Sequence, residues 1–132
     1  MNNEEVEKYM NEWLEEERKK EEREKKPYMR VYTDVLKRVG LEPALLFAYY
    51  VSMVEYSIVT NEICISEKKP ERFKDEKGVF CSCSYENIKQ FTGLSDRKIK
   101  SAKKILIENN LIKEVRRKDK SNKTYVDMSY VH

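Results

Sequence analysis

Residues 85–131 read YENIKQFTGLSDRKIKSAKKILIENNLIKEVRRKDKSNKTYVDMSYV, and the order of elements in this stretch decides the fold. Ser84 stands where a helix N-cap is favoured, just ahead of a helix expected over residues 85–91. Thr92-Gly93-Leu94 predicts a tight turn, with Gly93 supplying backbone angles that other residues avoid. Ser95 predicts a second cap, and Asp96 puts a negative charge in the first turn, where it suits the helix dipole. This second helix is expected to run to about Asn109, with Asn110 as a left-handed C-terminal residue. Residues 111–118 and 124–131 are strand-like, and Asp119-Lys120-Ser121-Asn122-Lys123 between them is rich in turn residues, which predicts a β-hairpin.

Helix, glycine-containing turn, helix and basic hairpin together form the pattern of a winged helix-turn-helix. At 100° per residue, Ile99, Ala102 and Leu106 fall on one face of the second helix and are expected in the core. The opposite face carries Arg97, Ser101 and Lys104, with Lys100 at its edge and Lys98 nearby. Such a face suits a DNA major groove, where Arg and Lys reach guanine edges and phosphates. Arg116, Arg117, Lys118, Lys120 and Lys123 lie in the hairpin, where a wing meets phosphates or the minor groove. Lys103 sits near the core line and must snorkel to reach water.

The run Phe80-Cys81-Ser82-Cys83-Ser84-Tyr85-Glu86-Asn87-Ile88, then Phe91-Thr92-Gly93-Leu94-Ser95-Asp96-Arg97-Lys98-Ile99 and Ala102 through Leu106 to Leu111-Ile112, resembles the winged-helix domains of phage and plasmid replication proteins. In particular it resembles the N-terminal DNA-binding domains of DnaD-like replisome organisers. The Thr-Gly-Leu-Ser turn and the terminal Leu-Ile carry most of the likeness, which spans about residues 30–131. It implies a role in replication initiation or transcription control. Asn110 stands where such domains usually have Gly, Lys103 where a core Leu is common, and the insertion 57–78 is atypical.

Charge is distributed unevenly along the chain. Residues 1–26 hold seven Lys/Arg and ten Asp/Glu (−3), residues 27–92 nine of each, and residues 93–132 eleven basic and five acidic (+6). A positive C-terminal third is the electrostatic footprint of a protein that meets a polyanion. Residues 2–26 predict one charged helix ended by Pro27. Its i,i+4 pairs are Glu4–Lys8, Glu15–Lys19, Glu16–Lys20, Glu21–Lys25 and Glu22–Lys26. Val6, Tyr9, Met10, Trp13 and Leu14 make a two-turn apolar stripe, expected to contact a second subunit (a homodimer) or another protein. Residues 1–27 are therefore expected to be an extension and 28–132 the winged helix-turn-helix domain.

Between these parts, residues 29–39 predict a short helix stopped by Gly40, and Pro43 opens a helix from Ala44 to about Tyr56 that is apolar nearly all round and so central to the core. Residues 57–66 alternate enough to predict a strand through Ile58, Ile63 and Ile65, and residues 67–78 a polar surface loop. The fold class expected is thus mainly α with a small β-hairpin wing, a winged helix-turn-helix preceded by a long charged helix.

Other classes find little support. Cys81-x-Cys83 on a strand would point its thiols to opposite faces, and the single histidine is terminal (His132), so no metal site is expected. Three scattered glycines form no phosphate loop, and no histidine is placed for acid–base work, so no enzyme activity and no cofactor are expected. Cys64, Cys81 and Cys83 cannot all pair, the acidic N-terminus lacks the features of a secretory signal, and no run of about 18 apolar residues suggests a membrane span. A cytoplasmic protein that binds double-stranded DNA is the leading expectation. The alternative is a protein-interaction module that uses the winged fold and the N-terminal helix.

Overall fold

The computed structural model describes residues 2–24 and 29–131, with the side chains of residues 20–24 left out. The Pro27 stop, the pairs Glu16–Lys20, Glu21–Lys25 and Glu22–Lys26, and His132 lie outside the described residues. Helix α1 spans Asn3–Glu24. Helix α2 spans only Thr33–Val39, shorter than expected, because Tyr32 is extended (φ −79°, ψ 123°). That backbone sets the Tyr32 ring edge-on to Phe47 with centroids 6.1 Å apart, and core packing outweighs four more residues of helix. Gly40, at φ 89°, ends α2 as expected and leads directly into α3.

Helix α3 runs Leu41–Ser66, so the strand expected over 57–66 is instead ten further residues of helix. The inward positions continue at helical spacing as Val54, Ser57 and Asn61, all buried, while Ile58, Val59, Ile63 and Ile65 face solvent. Of the inward polar groups, Ser57 Oγ donates to the Met53 carbonyl at 3.0 Å and Asn61 Oδ1 accepts from the Phe73 amide at 2.8 Å, while Asn61 Nδ2 is buried without a hydrogen-bond partner among the described residues. Strand propensity of β-branched residues is a weak preference, and this tertiary context overrides it. By length and composition α3 is apolar enough to cross a membrane, but 56% of that window is buried inside the protein.

The expected loop 67–78 is more ordered than its composition suggests. Lys68 at φ 59° and the Lys69 amide donating to the Cys64 carbonyl at 2.9 Å close the helix. Strands β1 (Lys74–Asp75) and β2 (Gly78–Val79) then form a tight antiparallel hairpin.

Strand β3 (Cys81–Ser82) leads into helix α4 (Tyr85–Thr92), and a Gly93 turn leads into helix α5 (Asp96–Glu108). The local signals act as read. Ser84 Oγ accepts from the Asn87 amide, Ser95 Oγ accepts from the Lys98 amide, Gly93 is left-handed at φ 73°, and Asn110 is left-handed at φ 59°. Strands β4 (Ile112–Val115) and β5 (Lys123–Val126) form the wing, with sheet order β3-β5-β4. Both strands are shorter than expected. After Val126, Asp127 caps a 3-10 turn over Met128–Tyr130, whose tyrosine packs edge-on to Phe47 with centroids 6.2 Å apart.

One core joins these elements. Phe47, Tyr50 and Val51 of α3 meet Ile88 of α4, Ile99, Ala102 and Leu106 of α5, and Leu111 and Ile112 at the start of the wing. Each large side chain fully buried here contributes roughly 1.5–3 kcal/mol. The result is a mainly helical, winged-helix-like fold whose helix-turn-helix and hairpin share one core with α3.

Candidate nucleic-acid interface

Ile99, Ala102 and Leu106 anchor α5, and their burial turns the opposite side of the helix outward. Arg97, Lys100, Ser101 and Lys104 are all exposed there. Among the described residues, the three cations of this set form no ion pair. Lys98 differs. It lies a quarter-turn away and its Nζ sits 3.2 Å from Glu42 of α3, in a pair that is about half exposed.

The wing divides its cations in the same manner. Arg116, Lys118 and Lys120 are exposed and, among the described residues, form no ion pair. Arg117 and Lys123 are committed elsewhere. Arg117 donates from Nε to the Ser121 carbonyl at 2.9 Å and from Nη2 to Ser82 Oγ at 2.8 Å, tying the wing loop to β3. Lys123 Nζ lies 2.8 Å from Asp75 Oδ2 and 4.7 Å from the centre of the Phe80 ring. Both were read from the sequence as DNA contacts; their geometry makes them braces of the wing.

Bracing comes from the insertion. The β1–β2 hairpin lies against the sheet, where Phe73, Phe80 and Tyr125 pack edge to face with centroids 6.0 and 5.8 Å apart. Asp75 accepts from Lys123 and from the Tyr125 hydroxyl. These two bonds hold its carboxyl down at about 2, the Lys123 bond contributing most. Desolvation, with Asp75 beside it, pushes the Tyr125 hydroxyl up to about 12. A sequence read alone gives no sign of this pairing, because the partners are 48 and 50 residues apart.

The sequence reading also missed what Lys103 does. Its Nζ lies 3.2 Å from Glu114 Oε2 of β4 and 4.7 Å from the centre of the Tyr85 ring. Glu114 in turn accepts from Asn122 in the wing loop. The expected snorkelling thus ends on a partner rather than in water, and fixes the wing against α5. Between them runs a groove of about 500 Å³ whose walls include Tyr85, Lys100, Lys104, Ile107 and Arg116. Lys100 and Lys104 of α5 thus share one concave surface with Arg116 of the wing.

Two further expectations concern other regions. On α1, Val6, Tyr9, Met10, Trp13 and Leu14 are exposed by 43 to 68%, and Glu15 pairs with Arg18 at 2.6 Å. Cys81, in β3, and Cys83, just after it, are free thiols, the first buried and the second half-buried. Among the described residues, no group of three or more His, Cys, Asp or Glu side chains is arranged to hold a metal ion.

No family model matches the chain, and no curated protein matches it significantly. Among solved structures, one described as a Rep–DNA complex is similar, with a TM-score of 0.55 and 18% identity, covering 81% of this chain and 79% of that chain. At that identity the likeness is one of fold.

Proposed function

We propose that this chain is a DNA-binding protein of the winged helix-turn-helix type, acting in replication initiation or in transcription control. The reading carries no enzymatic activity and no cofactor, and places the protein in the cytoplasm. The observation that carries it is the sorting of the cations. Among the described residues, Arg97, Lys100 and Lys104 on α5 and Arg116, Lys118 and Lys120 on the wing are exposed and form no ion pair, and Lys100, Lys104 and Arg116 line one groove, whereas neighbouring cations are used internally. Unpaired cations on a helix face and a hairpin are what a duplex backbone attracts. The fold shared with a protein solved as a Rep–DNA complex supports the same reading. In this arrangement α5 enters the major groove and the wing grips the adjacent backbone. The test is selection of bound duplexes from a random pool, followed by binding of Arg97→Glu/Lys104→Glu to the selected duplex. Loss of binding in a folded double variant is expected; unchanged affinity would rule out the groove assignment.

A second reading is favoured by α1, whose exposed Trp13 and flanking apolar residues suit a second copy of the chain or a protein partner. Here residues 1–27 serve assembly and 28–132 serve DNA. Gel filtration of the full chain against Trp13→Ala/Leu14→Ala separates the roles: the variant is expected to lose assembly and keep its affinity for a single half-site.

A further inference from the structure

We propose that the outward face of the second half of α3 is the surface on which α1 of a second copy packs, so that in a dimer each chain lays its α1 on the other's α3. The inference names the partner surface for the second reading above and rests on it. Past Val51 the inward side of α3 continues as Val54, Ser57 and Asn61, all buried. The opposite side carries Ser52, Tyr56, Val59, Ile63 and Ser66, all exposed. Its three apolar members are exposed by 53 to 63%. These positions alternate four and three apart, the spacing of a seam between two helices that cross at a shallow angle. Helix α1 repeats it. Val6, Tyr9, Trp13 and Glu16 form its row, with Met10 and Leu14 alongside. Every side chain from Asn2 to Lys19 is exposed, so the α1 row is not covered by its own chain.

Shape, charge and area select α1 of a second copy as the occupant. The α3 row alternates small and large along Ser52, Tyr56, Val59, Ile63 and Ser66, which leaves gaps for the bulky Tyr9 and Trp13 of α1. Two copies of the α3 face laid antiparallel on each other set Glu55 of one beside Glu62 of the other, like charges at the edge of an apolar contact. With α1 parallel to the α3 it covers, and Val6 and Trp13 level with Tyr56 and Ile63, Glu55 falls beside Met10 and Glu5 beside Thr60 instead. Glu17 and Glu62 still meet at the far end, so assembly should strengthen as salt screens them, the reverse of duplex binding. One helix-on-helix contact of this length buries roughly 1,000 Å² in all, short of a standard stable interface. A contact between unlike faces of two identical chains occurs twice about a two-fold axis and buries roughly 2,000 Å², whereas α1 on α1 occurs once.

The experiment uses the full chain, with sedimentation equilibrium for assembly and the emission of Trp13, the sole tryptophan, for the place of α1. The parent should be a dimer whose Trp13 is shielded from acrylamide. Val59→Gln/Ile63→Gln, checked for folding by circular dichroism, should weaken assembly at least roughly tenfold and expose Trp13, although Trp13 lies on another helix. Trp13→Ala/Leu14→Ala should lose assembly as well. An equimolar mixture of the two variants restores one of the two contacts, so a mixed dimer should form and Trp13 of the α3 variant should become shielded again. A dimer that survives Val59→Gln/Ile63→Gln overturns the α3 surface and leaves the α1 reading standing. So does a mixture in which both variants stay monomeric. A monomeric parent with a shielded Trp13 places α1 on its own chain and overturns the second copy. A monomeric parent with an exposed Trp13 overturns both this inference and the reading on which it rests.

Discussion

Lys103 of α5 and Glu114 of β4 face each other at 3.2 Å, with side chains only 13 and 16% exposed. The pair is the ion pair that links α5, the helix proposed to enter the major groove, to the wing beside it. Tyr85 lies under the ammonium, and Asn122 donates to the carboxylate. Removing one partner leaves the other charge largely buried and uncompensated, whereas removing both does not. Glu114→Leu is therefore expected to cost about 2 kcal/mol, and Lys103→Met/Glu114→Leu much less than the sum of its two single changes. Urea unfolding of the four proteins measures this directly; additive effects would mean that the contact is incidental.

The cations sorted by their partners should separate experimentally. Lys118→Ala and Lys120→Ala remove free charges and should leave stability within about 0.5 kcal/mol. Each should lower the slope of log affinity against log salt by about one on the selected duplex. Lys123→Ala and Arg117→Ala remove braces instead. Both should lower the unfolding midpoint, with a smaller change in salt slope. A Lys123→Ala protein as stable as the parent would contradict its assignment to Asp75.

Asp75 sets an acid limit on the wing brace. Its carboxyl is held at about 2 in the folded chain, against an ordinary 3.8. A group depressed in this way stabilises the fold fully above its unfolded value, and that contribution is lost as pH falls toward the folded value. The loss belongs to the window between about pH 4 and pH 2. Asp75→Asn should be less stable than the parent at neutral pH and should converge with it near pH 2. Thermal melts across that window, followed by circular dichroism, decide the matter; parallel pH profiles would show that Asp75 is not the titrating group.

The elements that could be read in the sequence are those fixed by near neighbours. Ser84 and Ser95 accept from amides three residues on, the Gly93 amide donates to the Lys89 carbonyl four residues back, and the Ile99–Ala102–Leu106 face follows from helix geometry alone. The end of α3 could not be read this way. Ser57 and Asn61 turn inward and Ile63 and Ile65 outward, against composition, because Asn61 is wanted by Phe73 in a hairpin that local signals do not specify. The candidate site divides along the same line. The outward cations of α5 follow from a wheel, while the internal bonds of Arg117 and Lys123 depend on Ser82 and Asp75, residues far away in the chain.

Asn110 offers a last and separable check on the helix-turn-helix. It follows α5 at φ 59°, a left-handed position where a Cβ is strained and asparagine is the best tolerated non-glycine residue. Its amide donates to the Ile107 carbonyl at 3.0 Å, a bond any residue can supply, and among the described residues its side chain forms no hydrogen bond. Glycine removes the strain but adds freedom to the unfolded chain, two terms of about 1 kcal/mol that oppose each other. Alanine keeps the strain and gains nothing. Asn110→Gly is therefore expected to be neutral or to stabilise by up to about 1 kcal/mol, and Asn110→Ala to destabilise by about 1 kcal/mol. Since the residue lies at the far end of α5 from Arg97, both variants should keep the DNA affinity of the parent. Denaturant midpoints in the order Gly at or above Asn, and Asn above Ala, support the geometry; an alanine variant as stable as the parent would place residue 110 outside the left-handed region.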